Sequence, residues 1–473
     1  MEGAVSRPVL PCGLATGLLA LAAGGALIVY NRLGGSPAAL LSAPKDLAVS
    51  GLLVLVLLGA LGLLRHAART ADRAMFLRAL AGSVALVAGL LLAAEMTLRA
   101  LAVPTPLGLR VGELDLRPLD WAAARASSTR WLGRATTGPG VLDAADPDLG
   151  WDLGRARQTP DGLYAVNAAG IRSPTATTAE TAAPELSVAL VGDSFTFGEE
   201  VAFADTWGEA LARRLPAGTS VANFGVPAHG LDQTLLKLRR DVLPRRPDVV
   251  ILGFLGASPL RTTSVYLFLQ PDLELPWSKP RFLLEEGNLR LLNSPPEAAA
   301  AILARPTVWD LPLLRLDSGF EAPQWERPPL AGSFVARYLV SRFPRWSPRR
   351  QRFPDDDIVA LTARLLEVVD ADVRAAGAVP VLVSLPVLAD LTGGAGGYRD
   401  RVVAALAAAG IEVLDVAPCL LARLPPEQLF LGPGERRTHQ AEPGPAHYSP
   451  RGNEAVATCL APVVLASAES GAD

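Results

Sequence analysis

The stretch 187-SVALVGDSFTFGEEV-201 contains an apolar run that stops at Gly192-Asp193-Ser194. A continuous apolar run of this kind is typical of a parallel β-strand that is covered on both faces. A helix is predicted soon afterwards, because Thr206 and Glu209 have the spacing of a capping box. Ser194 is therefore expected just past the carboxyl end of a strand, where open α/β sheets bind ligands and a serine can act as a nucleophile. The alternative for this residue is a turn serine that only caps the helix.

Further apolar runs predict the rest of the sheet. The five predicted strands cover residues 186–191, 220–224, 248–254, 379–385 and 411–416. Helices are predicted between them, over about 356–376 for example, and a last helix follows Ser449-Pro450. Alternating strands and helices predict a three-layer α/β/α domain with a parallel sheet, which we place at residues 185–473. Residues 258–354, which include the predicted hairpin RFLLEEGNLRLLN, interrupt the alternation and are interpreted as an insertion that shapes a substrate cleft.

The first 104 residues differ in composition from the rest. Half of the 473 residues are hydrophobic and the mean hydropathy is +0.29, with the excess at the front of the chain. Apolar runs at about 9–30, 47–64 and 79–101 each approach the roughly 20 residues that a helix needs to cross a bilayer. We therefore predict three transmembrane helices. The alternatives are buried helices of a soluble domain and, for the first run, a cleaved signal peptide.

Charge predicts how these helices are oriented. The loop between the second and third runs carries four arginines and one acid: Arg65, Arg69, Arg73, Arg78 and Asp72. The positive-inside rule places this loop in the cytoplasm, so that everything after the third helix is exported to the periplasmic side. That exported part begins with a stalk and lead-in segment at 105–184. Glu95, four residues before Arg99, is interpreted as an interfacial ion pair rather than an intramembrane functional carboxylate.

Charge and cysteine content narrow the possible partners. The net charge of −3 and the absence of a basic stripe argue against a nucleic-acid partner. The cysteines and the four histidines have no spacing typical of metal ligands, so no metal site is expected. No other cofactor is expected either. Cys419 and Cys459 both lie in the exported part, where a disulfide can persist; two separate buried thiols are the alternative.

Three motifs in order resemble those of one superfamily. VGDSFTFGEEV resembles block I of the SGNH (GDSL-type) hydrolases, in a bacterial membrane-anchored branch, and NFGVPAHGLDQ is similar to block II. HYSPRGNEAVA is similar to block V, and the likeness covers roughly residues 146–465. The resemblance implies a flavodoxin-like SGNH domain in which Ser194 is the nucleophile and His447 the base. It further implies an oxyanion hole built from Ser194, Gly225 and Asn223.

The sequence departs from the superfamily pattern at two places. Ala257 stands where block III normally has an asparagine, with Ser258 as the nearest substitute donor. Gly444 and Pro445 stand where an aspartate normally precedes the histidine, and Glu442 is the nearest acid in the chain. Either Glu442 or a backbone carbonyl is then expected to orient His447. A second histidine, His229, follows block II and is predicted on a solvated loop, with a position lining the cleft as the alternative.

The resemblance implies a function as well as a fold. The leading hypothesis is an exported, membrane-anchored serine esterase or O-acyltransferase that acts on acyl esters of cell-surface polysaccharide, with an acylated glycan or other ester as its partner. The alternative is a catalytically degenerate SGNH-like domain that binds glycan or serves as an envelope scaffold. A signalling or transport component is disfavoured, because the apolar runs contain too few polar residues to build a pathway.

Overall fold

The computed structural model describes residues 9–32, 44–137, 142–179, 184–255, 259–269, 275–344, 355–392, 397–432 and 446–470. The chain divides into two compact units. One unit joins Met1–Ala124 to Glu321–Gln351, and the other joins Arg125–Phe320 to Arg352–Asp473. The units are defined by which residues contact one another, and their boundary after Phe320 falls inside the predicted insertion at 258–354. The boundaries proposed from the sequence stay predictions.

The first unit contains the three apolar helices Val9–Arg32, Pro44–Thr70 and Arg73–Leu101. All three are long and apolar enough to cross a membrane. Large apolar side chains of the second and third helices are exposed, for example Leu55 and Leu90, as expected for surfaces that face lipid. The unit also contains an antiparallel sheet of Val103–Thr105, Gly108–Val111 and Leu114–Leu116, and the helices Ala322–Trp325 and Phe334–Arg342.

Glu95, near the end of the third apolar helix, anchors a later segment of the same unit. Its carboxylate accepts hydrogen bonds from the Arg99 Nε (2.9 Å) and the Ser333 hydroxyl (2.9 Å). It also accepts from the backbone amides of Phe334 (2.9 Å) and Val335 (3.0 Å). The predicted ion pair with Arg99 is present. The carboxylate additionally satisfies two amides at the start of a helix, which would otherwise lack a partner.

The second unit is built on a five-stranded sheet in which every neighbouring pair is parallel. The spatial order is Val413–Asp415, Val379–Leu385, Val249–Leu255, Leu186–Val191 and Thr219–Asn223. All five strands coincide with the apolar runs read from the sequence. The predicted three-layer α/β/α fold with a parallel sheet is confirmed.

Both faces of this sheet are buried under helices. Val188 and Leu190 of one strand belong to the core on one face, whereas Ala189 and Val191 of the same strand belong to the core on the other. The covering helices include Trp207–Ala212, Leu231–Lys237, Asp355–Ala375, Tyr398–Ala408, Ala417–Leu421 and Pro450–Ser470. Alternate residues of a strand point to opposite faces, so burial of both faces explains why the strands read as continuous apolar runs.

Two buried ion pairs attach outer segments to the helix Leu231–Lys237. Lys279, just before the hairpin strands Arg281–Glu285 and Asn288–Leu292, forms a fully buried ion pair with Asp232. In the lead-in segment, Asp152 accepts from the Lys237 Nζ at 2.6 Å. This helix directly follows the strand Thr219–Asn223 in the chain, so both segments are held beside the carboxyl end of the sheet.

The lead-in segment and the insertion are built from short elements. The lead-in forms two antiparallel pairs, Asp143–Asp146 with Gly150–Leu153 and Arg157–Gln158 with Ala165–Val166. Other short helices of the second unit include Pro259–Thr263, Ala299–Leu303, Leu388–Leu391 and Pro426–Leu429, and the helix Trp121–Thr137 begins before the unit boundary.

Cys419 and Cys459 form a disulfide, with their Cα atoms 6.1 Å apart. The bond joins the helix after the last strand to the final helix of the chain. Of the two alternatives that the sequence left open, the structure therefore contains the paired one.

Candidate active site

The nucleophile candidate lies on a tight turn at the end of the strand Leu186–Val191. Gly192 has φ of +154°, and a Cβ at this position would lie 2.6 Å from the carbonyl oxygen of Gly253. Only glycine fits so close an approach. Asp193 then caps the helix Ser194–Phe197 by accepting from the Phe195 amide at 3.0 Å. Ser194 begins that helix and is 1 % exposed.

His447 is held at the entry to the final helix. Its carbonyl accepts from the Leu431 amide at 2.9 Å, and its ring packs against Phe195 with the centroids 4.9 Å apart. The His447 Nε2 lies 2.9 Å from the Ser194 Oγ. The structure therefore brings together the two residues that the motifs single out, although 253 positions separate them in sequence.

The acid beside His447 is one that the sequence analysis did not assign. The Glu200 Oε2 lies 2.7 Å from the His447 Nδ1, and the Glu200 side chain is 0 % exposed. Glu200 has a left-handed backbone with φ of +71°, and its amide donates to the Tyr164 hydroxyl at 2.7 Å. Ser194, His447 and Glu200 thus form a continuous hydrogen-bonded relay. Glu442, Ala257 and Ser258 lie outside the described residues.

A second carboxyl lies on the other side of the imidazole. The Glu199 Oε2 is 3.4 Å from the His447 Nε2, and the Glu199 side chain is 16 % exposed. Burial raises the pKa of the Glu199 carboxyl, and the nearby His447 and Arg261 oppose that shift. Burial likewise raises the pKa of Asp193, whose Oδ2 lies 3.5 Å from the Arg261 Nη1. Buried or partly buried carboxyls, Glu199 and Asp193, thus lie near Ser194 and His447, with the Arg261 guanidinium beside Asp193.

Asn223 and Gly225 contact the helix Ser194–Phe197. The Asn223 Nδ2 donates to the carbonyl of Thr196 at 2.7 Å, and its Oδ1 accepts from the Gly225 amide at 2.9 Å. Backbone atoms of Phe197 lie 2.5 Å from where a Cβ on Gly225 would be, so no side chain fits there. Both donors are used within the protein, and either would have to exchange a bond to contact an oxyanion. Their assignment, with the Ser194 amide, to an oxyanion hole stays a prediction.

His229 does not lie on a solvated loop, and that expectation was wrong. It is 2 % exposed, its Nε2 is 3.0 Å from the carbonyl oxygen of Trp151, and its ring packs edge-on against the Trp151 ring. Burial lowers the pKa of His229 to about 3. The lead-in segment covers this part of block II, which the periodicity of the loop alone did not reveal. Among the described ranges, no three His, Cys, Asp or Glu side chains form a cluster suited to a metal ion.

Comparison with known proteins finds similar solved structures only. No family model matches the chain, and no curated protein matches it. A protein assigned to the G-D-S-L lipolytic family from Desulfitobacterium hafniense is 13 % identical, with 59 % of this chain and 99 % of that chain covered and a TM-score of 0.30. A lipase/acylhydrolase from Enterococcus faecalis is 14 % identical, with 59 % and 95 % covered and a TM-score of 0.31. The acetyl xylan esterase AlAXEase is 12 % identical, with 59 % and 100 % covered and a TM-score of 0.30.

Proposed function

We propose that this chain is a membrane-anchored serine esterase or O-acyltransferase that acts on acyl esters of cell-surface polysaccharide. The relay from Ser194 through His447 to Glu200 is the observation that carries the proposal. A nucleophile, a base within hydrogen-bond distance, and a buried acid that orients the base are the arrangement that serine acyl transfer requires. Because Glu200 provides the acid, the absence of an aspartate next to His447 no longer favours a non-catalytic glycan-binding module.

The reaction follows from the positions of the relay atoms. As the Ser194 Oγ bonds to the acyl carbon, the His447 Nε2 accepts the hydroxyl proton and the carbonyl electron pair moves onto oxygen. Collapse of this intermediate breaks the bond to the alcohol, which leaves with the proton from Nε2. Water or a sugar hydroxyl then gives its proton to Nε2 and attacks the acyl-serine, and the serine leaves protonated. Throughout, the Glu200 carboxylate accepts a hydrogen bond from the His447 Nδ1–H and stabilises the imidazolium.

The proposal also assigns the groups that stabilise the oxyanion. The Ser194 amide belongs to the turn that carries the nucleophile, as the reaction requires. We propose that the Gly225 amide and the Asn223 side-chain amide also donate to the oxyanion when substrate binds. The Gly225 amide would then give up its hydrogen bond to the Asn223 Oδ1, and the Asn223 Nδ2 would give up its bond to the Thr196 carbonyl.

The test uses the full chain in detergent. Wild type is expected to hydrolyse an aryl acetate and to react with a fluorophosphonate probe, and Ser194→Ala is expected to lose both. Ser187→Ala serves as a matched control, because Ser187 lies at the amino end of the strand Leu186–Val191, away from the turn that carries Ser194. Equal activity of wild type and Ser194→Ala would refute the enzymatic function and leave a binding or scaffold role.

The location of the substrate depends on orientation, which is also part of the proposal. The four arginines between the second and third apolar helices support a cytoplasmic loop and an exported α/β domain. A reporter fused after Asp473 should behave as exported, and one inserted near Arg69 as cytoplasmic. Cytoplasmic behaviour of the fusion at Asp473 would exclude a cell-surface substrate.

A further inference from the structure

Glu199 occupies a position that the proposed relay does not use. In the reaction above, the leaving alcohol receives its proton from the His447 Nε2, so its oxygen must approach that nitrogen. The Glu199 Oε2 is 3.4 Å from the same nitrogen. An alcohol that is hydrogen-bonded to Nε2 therefore lies beside the Glu199 carboxyl.

The Glu199 carboxyl is not committed to the imidazole. Its 3.4 Å distance from Nε2 exceeds the roughly 2.7–2.9 Å of a charge-assisted hydrogen bond. The Glu200 carboxyl, at 2.7 Å from Nδ1, already performs the orienting role. Within the part of the chain that the structure describes, no donor is hydrogen-bonded to the Glu199 carboxyl. It therefore has acceptor capacity available for a ligand.

Exposure places Glu199 on the approach to the site. Its side chain is 16 % exposed, compared with 11 % for His447 and 0 % for Glu200. The Arg261 guanidinium is close enough to oppose the rise in the Glu199 pKa, and its Nη1, 3.5 Å from the Asp193 Oδ2, is buried without a hydrogen-bond partner among the described residues. The surroundings of the relay thus contain a partly buried acceptor and a buried donor, and such groups favour a polar ligand over an apolar one.

We infer that Glu199 is a specificity-determining residue that accepts a hydrogen bond from a hydroxyl adjacent to the ester, on the alcohol side of the substrate. The inference rests on the proposed esterase or acyltransferase function and assigns to Glu199 the recognition of its polyhydroxylated alcohol. An ester of a simple alkyl or aryl alcohol has no adjacent hydroxyl. It would leave the Glu199 carboxyl desolvated and unpaired, which is costly.

Two acetate esters separate this role from a general effect on the histidine. One is 4-nitrophenyl acetate, whose leaving group has no hydroxyl beside the ester, and the other is a singly acetylated methyl glycoside. The variants are Glu199→Gln, which keeps the shape and removes the charge, and Glu412→Gln. Glu412 is exposed and precedes the strand Val413–Asp415, so it lies at the opposite edge of the sheet.

The two substrates should respond differently. Glu199→Gln removes a charge close to His447 for both substrates, and it is expected to lower kcat/KM for the glycoside acetate by about 10- to 100-fold more than for the aryl acetate, as for loss of a hydrogen bond to a charged group. Glu412→Gln should change neither. An equal fall for both substrates, with a shifted pH profile, would mean that Glu199 acts only on His447 and would overturn the inference. Unchanged rates for both would overturn it as well. In either case, activity that is lost in Ser194→Ala would leave the proposed function standing.

Discussion

Replacing Glu200 by glutamine removes the charge behind His447 and preserves the shape of the side chain. At 2.7 Å, a carboxylate stabilises an imidazolium by about 6 kcal/mol if the effective dielectric constant is about 20. Loss of the orienting acid lowers turnover by about 10⁴-fold in the serine protease triad, which corresponds to about 5 kcal/mol. Because the two magnitudes agree, Glu200→Gln is expected to lower kcat for an aryl acetate by about 10⁴-fold with KM little changed.

The assay compares three variants of the full chain in detergent, with kcat and the unfolding temperature measured for each. Glu442→Gln tests the acid nearest to His447 in sequence and should retain wild-type turnover. Glu200→Gly should be as inactive as Glu200→Gln, because it too removes the carboxylate beside the His447 Nδ1. A Glu200→Gln enzyme within a factor of ten of wild type, or a Glu442→Gln enzyme as slow as expected for Glu200→Gln, would refute the assignment.

Three further predictions concern stability. Replacing Cys419 and Cys459 by alanine should lower the free energy of unfolding by about 4 kcal/mol, the chain-entropy value for a 40-residue separation, and reductant should lower the unfolding temperature of wild type only. Glu95→Gln should weaken the start of the helix after Ser333 by about 1 kcal/mol, seen as faster amide hydrogen exchange there. Burial raises the pKa of Asp143 to about 7, compared with about 3.9 in the unfolded chain. The stability that the protonated carboxyl contributes is fully present below about pH 3.9 and is lost as the pH rises from there through about 7. Asp143→Asn should therefore reduce the fall in unfolding temperature between about pH 5 and 8.

The sheet could be predicted from sequence because its strands are buried on both faces. Each strand then appears as an apolar run, and the run that ends at Ser194 identifies the edge where the site forms. The hairpin 281–292 was also predictable, because its strands are adjacent in the chain. Local sequence patterns were therefore sufficient to predict the individual strands and the hairpin.

The acid was missed because its contact with His447 spans 247 residues. The motif pattern predicted an acid close to His447 in the chain, so that Glu442 or a backbone carbonyl was expected to orient it, whereas Glu200 reaches the imidazole from the segment just after the helix Ser194–Phe197. The acidic pair in GEEV was a signal in the quoted stretch. Its meaning depended on the left-handed backbone at Glu200, which is rare for residues other than glycine and has no reliable sequence signature when glutamate adopts it.

That left-handed residue explains how two neighbouring glutamates serve opposite sides of one imidazole. Gly198 has φ of +78° and packs against Thr206 where a Cβ would clash, so the chain turns there immediately after the nucleophile helix. Glu200 then turns it again, with the Tyr164 hydroxyl accepting from its amide. Glu200 consequently faces Nδ1, and Glu199 stays near Nε2 at the approach to Ser194. The strain at Glu200 is of the kind that persists at functional sites because the surrounding structure maintains it. Since the two carboxyls contact different nitrogens, a change at residue 199 can alter which alcohol is accepted while the relay through residue 200 remains intact.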